Sequence, residues 1–423
     1  MKKTLSITIL LLTIFQVFGQ NKKLLIKNVN IIPLHINQEW NNKDVLIEDG
    51  IIREIREQIK NDTTKYDLGV IDGNGKYLIP SFADAHSHLP EKENLNSYFL
   101  MNLINGVTTL RSMRGEMWHL EIDKNDELTP KLILSSPPIS RRNDISEEDA
   151  NKLITDYKKS GFDFAKILSV KDEQTFDNLV ASANSEKFHF AGHCPSNIGL
   201  LKVIKSNVFQ SVEHLGGFFQ LPSLDEINSA INLSISNKVY HCATLDWYFT
   251  GQVPEDELRK RDGVKFLPTE LVNSWESKIS AHYEKTTENE REIERKESKD
   301  KFQARLKYLK YIYTQGGKLL LSPDASGIYG IPGYGIHIEM QHYKDAGISN
   351  FDILKATCYN LSEMLSTQND WGTIKVGAKS DMVLLDENPL KDIGNTEKIN
   401  GVIFKGKFYS ISDLENKLNA KKR

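Results

Sequence analysis

Two styles of apolar patterning divide the chain. From Lys23 to Ile79, short apolar stretches broken by turn residues (LLIKNVNIIPL, DVLIEDGIIREI, GVIDGNGKYLI) predict β-strands, and the same style returns between Asp381 and Ser410 in DMVLLDENPL and GVIFKGKFYS. Between these ends, apolar strands alternate with amphipathic segments: FDFAKIL, FDNLVASANS, FHFAGHC, GLLKVIKSN, VFQSVEHL. Such alternation predicts a parallel α/β architecture, and a middle of roughly 300 residues suits a (β/α)8 barrel with insertions. A doubly wound sheet is the alternative, but no Gly-rich phosphate loop follows the first strand. From Trp275 to Thr314 the pattern changes again to a charge-dense run without Pro or Gly, which predicts one or two long solvated helices.

The first residues, MKKTLSITILLLTIFQVFGQ, place two lysines before an apolar run that ends at Gly19 and Gln20. This predicts a signal peptide over residues 1–19, cleaved to release an exported protein into the periplasm or the medium. The run is shorter than the roughly 20 apolar residues of a membrane anchor. A net charge of -3 excludes the basic surplus of a nucleic-acid binder, so the expected partner is a small molecule; the oligomeric state stays open. Cys194, Cys242 and Cys358 are too few and too scattered for a disulfide framework.

Chemistry concentrates at strand ends. In PSFADAHSHLP, His86 and His88 stand two apart after an apolar strand, a spacing that puts both imidazoles on one face. Lys166 ends FDFAK, His193 follows FHFAG, His214 follows VFQSVE and Asp324 follows KLLLSP. In a barrel, the C-terminal strand ends share one mouth, so residues far apart in sequence meet there. A lysine in FDFAKIL is the odd member, because a buried ammonium is costly unless it is paired or modified.

These residues, with the segments GVTTLRSM, GFDFAKIL, SVEHL, SPDAS, GIHIEMQHYKDAGIS and the tail ATCYNLSEML to DMVLLDENPL, resemble the binuclear-metal branch of the amidohydrolase superfamily, nearest its imidazolonepropionase-like and Xaa-Pro dipeptidase-like members. The resemblance implies a barrel over 80–371 and a small β-sandwich built from both ends, 23–79 and 372–410. It implies that His86, His88 and Asp324 hold one divalent ion and His193 and His214 a second. Zinc is the expected ion, with manganese, cobalt and iron as alternatives. Lys166 would carry carbon dioxide as a bridging carbamate, and Asp324 would also move the proton of catalysis. Two departures stand out: the usual Gly-Thr-Asp is Ser322, Pro323, Asp324, and the usual Pro-Gly-Phe is Pro80, Ser81, Phe82.

Tyr240, His241 and His337 are the candidate substrate contacts, the first two from a segment, Tyr240 to Glu284, that matches the family poorly. His337 and Glu339 follow the Gly-rich GIYGIPGYG, where packing of a helix start is the competing reading. The expected activity is hydrolysis of an amide in an Xaa-Pro dipeptide or N-acyl amino acid. Cleavage of a lactone, carbamate or organophosphate ester by the same machinery is the alternative, and a binding protein that has lost catalysis is a third reading.

Overall fold

The structure is a computed structural model that describes residues 23–59, 69–140 and 144–420; the expected leader lies outside them. In chain order the strands are β1 (Lys23–Ile31), β2 (Trp40–Glu48), β3 (Ile51–Arg56), β4 (Val70–Asp72), β5 (Tyr77–Pro80), β6 (Phe82–Ser87), β7 (Val107–Ser112), β8 (Lys131–Leu134), β9 (Ala165–Ile167), β10 (Phe190–Gly192), β11 (Phe209–Glu213), β12 (Tyr240–Cys242), β13 (Leu319–Leu320), β14 (Met382–Leu385), β15 (Ile399–Phe404) and β16 (Lys407–Ser410).

Strands from the two ends of the chain share one eight-stranded sheet, in the order β16-β15-β14-β5-β1-β2-β3 with β4 beside β1. The seam is β5 against β14, antiparallel, with Leu78 opposite Leu384. Hydrogen bonding runs without a break from the strands of one chain end to those of the other. Its edge strand β3 also curls back, the Ile52 N–H donating to the Ala378 carbonyl at 2.9 Å and the Gly377 N–H to the Ile52 carbonyl at 2.9 Å. Ile26, Val45, Ile47, Leu78, Met382 and Leu384 form its core. Each such side chain, fully buried, contributes about 1.5–3 kcal/mol.

Strands β6 to β13 are parallel and consecutive, as two sheets, β6-β7-β8 and β9 to β13. The sheets meet at both edges. Past β8, Ser135 bridges to Phe164 and Ile139 to Ile167; across the other seam the Ala85 N–H donates to the Leu321 carbonyl at 3.3 Å. Helices alternate with the strands, among them Glu147–Ser160, Glu173–Glu186 and Leu224–Ser236. Ser146, Asp172 and Ser223 cap these three by accepting a backbone N–H of the first turn. The result is a TIM-barrel-type α/β fold with an additional sheet domain.

The charge-dense run resolves into two helices, Thr269–Tyr283 and Glu288–Thr314. The break is chemical: Thr287 and Glu290 form a reciprocal capping box that starts the second helix afresh. No described helix is long and apolar enough to cross a membrane.

One glycine governs the mouth of the barrel. Gly192 ends β10 at φ +136°, and a Cβ there would stand 2.1 Å from the Ile167 carbonyl oxygen and 3.0 Å from Lys166 Cδ. Both a left-handed backbone and a close strand approach are satisfied by the missing side chain. Gly192→Ala is therefore expected to cost at least about 2 kcal/mol and to displace His193. Thermal unfolding of the metal-free protein checks the first effect, and zinc titration of the same variant checks the second.

Candidate metal centre

Parallel strands deliver their C-terminal ends to one place, and the side chains follow. His86 lies within β6 and His88 just past it; Lys166 is in β9; His193 and His214 directly follow β10 and β11; Asp324 sits in the turn after β13. All six line one cavity of about 630 Å³. Ligating atoms of His86, His88 and Asp324 lie within 4.8 Å of one another, a spacing suited to one ion. The His214 ring centroid lies 4.8 Å from that of His86 and 4.9 Å from that of His193.

In His86 and His214 the other ring nitrogen is committed. His86 Nδ1 meets Glu213 Oε2 at 2.9 Å, and since a carboxylate only accepts, Nδ1 carries the proton and Nε2 keeps its lone pair. His214 Nδ1 meets Thr244 Oγ1 at 2.7 Å, and that hydroxyl donates onward to the Ala243 carbonyl at 2.8 Å. Thr244 therefore accepts from His214, leaving His214 Nε2 free as well. Partners of this kind orient metal-binding imidazoles and fix their tautomer.

Burial sets the protonation states. It holds His88 down to about 3 and His193 to about 4, with the Lys166 ammonium adding to both, and it depresses His86 and His214 well below the ordinary range. The imidazoles are thus neutral and ready to donate at physiological pH. Burial also raises the Asp324 carboxyl to about 7 and lowers the Lys166 ammonium to about 8. Lys166 is 2 % exposed, and among the described residues no carboxylate forms an ion pair with it.

Beneath the ligands runs a polar layer. Glu213 accepts from Arg111 Nη1 at 3.4 Å and from the Ser211 hydroxyl, and Arg111 also donates to Ser211 at 3.0 Å. The Ser322 hydroxyl donates to Asp84 Oδ1 and accepts the Asp324 N–H at 3.1 Å. The departure at Ser322 thereby ties the turn of Asp324 to β6. Glu213 and Arg111 were not singled out from the sequence, although a charged residue inside each of the apolar strands VFQSVE and GVTTLRSM was a usable signal.

The three expected substrate contacts are not brought to this cavity. The Tyr240 hydroxyl donates to Glu363 Oε2 at 2.8 Å. His241 Nε2 lies 3.0 Å from the hydroxyl of Ser234, on the helix Leu224–Ser236, and its ring packs edge-on against Phe218. His337 Nδ1 lies 3.0 Å from Thr396 Oγ1, with Phe82 against its ring, in a packing position. Glu339 accepts the Leu245 and Asp246 N–H groups at 2.8 and 2.7 Å and so anchors the helix Leu245–Phe249. The expected segment, Tyr240 to Glu284, does reach the cavity, through residues the sequence reading did not name: Trp247 and Tyr248 line it, and Arg305 of the helix Glu288–Thr314 stacks 3.4 Å from the Tyr248 ring centroid.

Residues 77–409 match the amidohydrolase family. Over 96 residues the chain is 38% identical to a dihydroorotase of Caldicellulosiruptor saccharolyticus, an alignment that spans 21% of each protein. Among solved structures, a Xaa-Pro dipeptidase with methionine bound in its active site has a TM-score of 0.68 at 18% identity, covering 92% of this chain and 100% of that one. Bottromycin amidohydrolase gives 0.75 at 19%, covering 95% and 91%, and the A. niger ochratoxinase 0.67 at 16%, covering 92% and 96%. At these identities the superpositions establish the fold. The family match runs from β5, before the paired histidines, to β16 at the far edge of the shared sheet, and on that extent the chain belongs to the amidohydrolase family.

Proposed function

We propose that this metal-dependent hydrolase is exported and uses two divalent ions, zinc foremost, to cut the amide bond of a small peptide-like substrate, an Xaa-Pro dipeptide or an N-acyl amino acid. The observation that carries the reading is Lys166: a lysine buried among metal-ready histidines, with no ion-paired carboxylate among the described residues. The donor set fits the ions, because His86 and His214 have their other ring nitrogens fixed and burial keeps all four imidazoles neutral. In this reading His86, His88 and Asp324 would hold one ion and His193 and His214 the other, and a carboxylated Lys166 would supply a further anionic ligand.

When bound, the ions supply Lewis acidity toward the scissile carbonyl and the attacking water. The Lys166 amine, deprotonated as its pKa of about 8 permits, adds through its lone pair to carbon dioxide; a C–N bond forms, one carbon–oxygen π bond opens to a carboxylate, and a proton leaves to solvent. Asp324 takes the proton of the attacking water and returns it to the leaving nitrogen. The Ser326 hydroxyl, donating to Asp324 Oδ1 at 2.7 Å, holds that carboxylate for the transfer.

The decisive assay loads the protein with zinc and bicarbonate and offers Xaa-Pro dipeptides, other dipeptides, N-acyl amino acids, lactones and aryl esters. Turnover of one amide class is expected, falling about 10²–10⁴-fold in Asp324→Asn. Turnover confined to lactones or esters transfers the assignment to that alternative, and silence across the panel leaves a binding protein. Labelling with ¹³C-bicarbonate is expected to give a carbamate resonance that is absent from Lys166→Ala; its absence from the parent protein rules out carboxylation. A third expectation concerns pH. In metal-free protein the Asp324 pKa of about 7 exceeds the unfolded value of 3.8, so its ionisation costs stability progressively as pH rises from about 4 through about 7. Asp324→Asn should therefore stabilise the metal-free protein at pH 8 by on the order of 4 kcal/mol and leave it nearly unchanged at pH 4. The histidines titrate in both proteins, so the difference between their unfolding curves isolates the carboxyl.

A further inference from the structure

The metal cavity has an annex. A second cavity, of about 370 Å³, shares His88, Arg114 and Ser326 with the first. One part of its wall is apolar, with Met101, Leu267, Leu271, Trp275 and Pro332, and another is polar, with Glu91, Asn94, Ser97 and Glu116. The two spaces therefore adjoin, with Arg114 on the wall of both.

Three observations single out Arg114. Apart from the metal-ligand candidates, it is the one charged residue lining the metal cavity among the described residues. Its side chain is exposed, and among the described residues it forms no hydrogen bond or ion pair within the protein. Glu116, two positions on, is engaged elsewhere: it accepts from Trp118 Nε1 at 2.9 Å and caps the short helix Met117–Glu121. Meanwhile the backbone that presents Arg114 is pinned on both sides. The Met113 N–H donates to the Ser87 carbonyl at 2.8 Å and the Gly115 N–H to Ser135 Oγ at 3.0 Å. A Cβ on Gly115 would fall 1.7 Å from the Ser135 carbonyl oxygen, so the loop lies flat against β8's extension. A guanidinium without a hydrogen bond or ion pair among the described residues, carried on a fixed loop beside a metal centre, is placed for an anionic group of the substrate.

From this we infer that Arg114 is the specificity residue that binds the free carboxylate of the substrate, while the annex takes a bulky apolar group of the same molecule. The inference rests on the hydrolase reading of the adjoining centre and refines it. The substrates are N-acylated amino acids or dipeptides with an unblocked carboxylate and a large aliphatic or aromatic side chain. A planar guanidinium grips a carboxylate through two parallel hydrogen bonds, which also sets the distance from that carboxylate to the amide being cut. Apolar surface in the annex then rewards each added methylene of the side chain.

The test compares each substrate as its free acid and as its neutral carboxamide. Wild-type protein should prefer the acid by about 10- to 100-fold in kcat/KM, chiefly through KM, the factor a charge-assisted pair supplies. Arg114→Gln should abolish the preference by slowing the acid and sparing the carboxamide, with Arg114→Lys intermediate. Leu271→Trp, which adds bulk at the annex wall, should lower kcat/KM for phenylalanine-bearing substrates and spare alanine-bearing ones. Equal losses on acid and carboxamide, or no loss on the acid, overturn the inference. Calorimetric titration of zinc-loaded Asp324→Asn with N-acetylphenylalanine and its carboxamide separates the two claims. Discrimination that depends on Arg114 supports the carboxylate site even where no amide is hydrolysed, and equal binding of the two probes overturns it even where hydrolysis occurs.

Discussion

Glu213 is the fixed point of the molecule. Its carboxylate is fully buried, where an unpaired charge would be prohibitively costly, and three strands send it partners: His86 from β6, Arg111 from β7 and Ser211 from its own β11. Arg111 is equally buried and stacks its guanidinium 4.5 Å from the centroid of the Phe164 ring, next to β9. One paired charge thus registers strands across the width of the barrel and aims a ligand at the same time. The apolar core around it supplies most of the stability, but apolar contacts alone would not specify which nitrogen of His86 faces the cavity.

A second constraint is conformational. His214, Thr244 and Asp324 all lie in the left-handed region, at φ 62°, 49° and 48°. For residues with a Cβ such backbones cost about 1–3 kcal/mol each and survive only where their surroundings enforce them. The enforcement is visible: the His214 N–H donates to the Cys242 carbonyl at 2.7 Å, and Asp324 is held through Ser322. The sharp turn redirects each side chain from the strand line into the mouth, which a continuing extended chain would not do.

Much of the centre was legible because its chemistry is local in sequence. Paired histidines after an apolar strand, a lysine where none should be buried, and polar residues closing apolar runs mark the strand ends without knowledge of the fold. The facing of β12 was not legible. Tyr240, His241 and Cys242 are all buried, so the strand lacks the alternation that tells one face from the other, and Tyr240 and His241 turn out to serve the packing between β12 and its neighbours. Arg114 left no pattern either, since a loop residue's value here comes from the absence of a neighbour, and absence is a property of three dimensions. The break between the two charged helices was readable in principle, in Thr287 and Glu290, and was blurred by the uniform charge around them.

The sheet shared by both ends of the chain carries a consequence for biosynthesis. A ribosome completes β1 to β5 before any of the barrel exists, yet β5 pairs with β14, which follows β6 to β13 in the chain. Until that strand emerges, Leu78 and its neighbours have an unsatisfied flank, and the nascent polypeptide must carry an open strand edge through the synthesis of the entire barrel. Closure of this sheet is therefore a late step of vectorial folding, and loss of the last forty or so residues would leave the first strands without their partner.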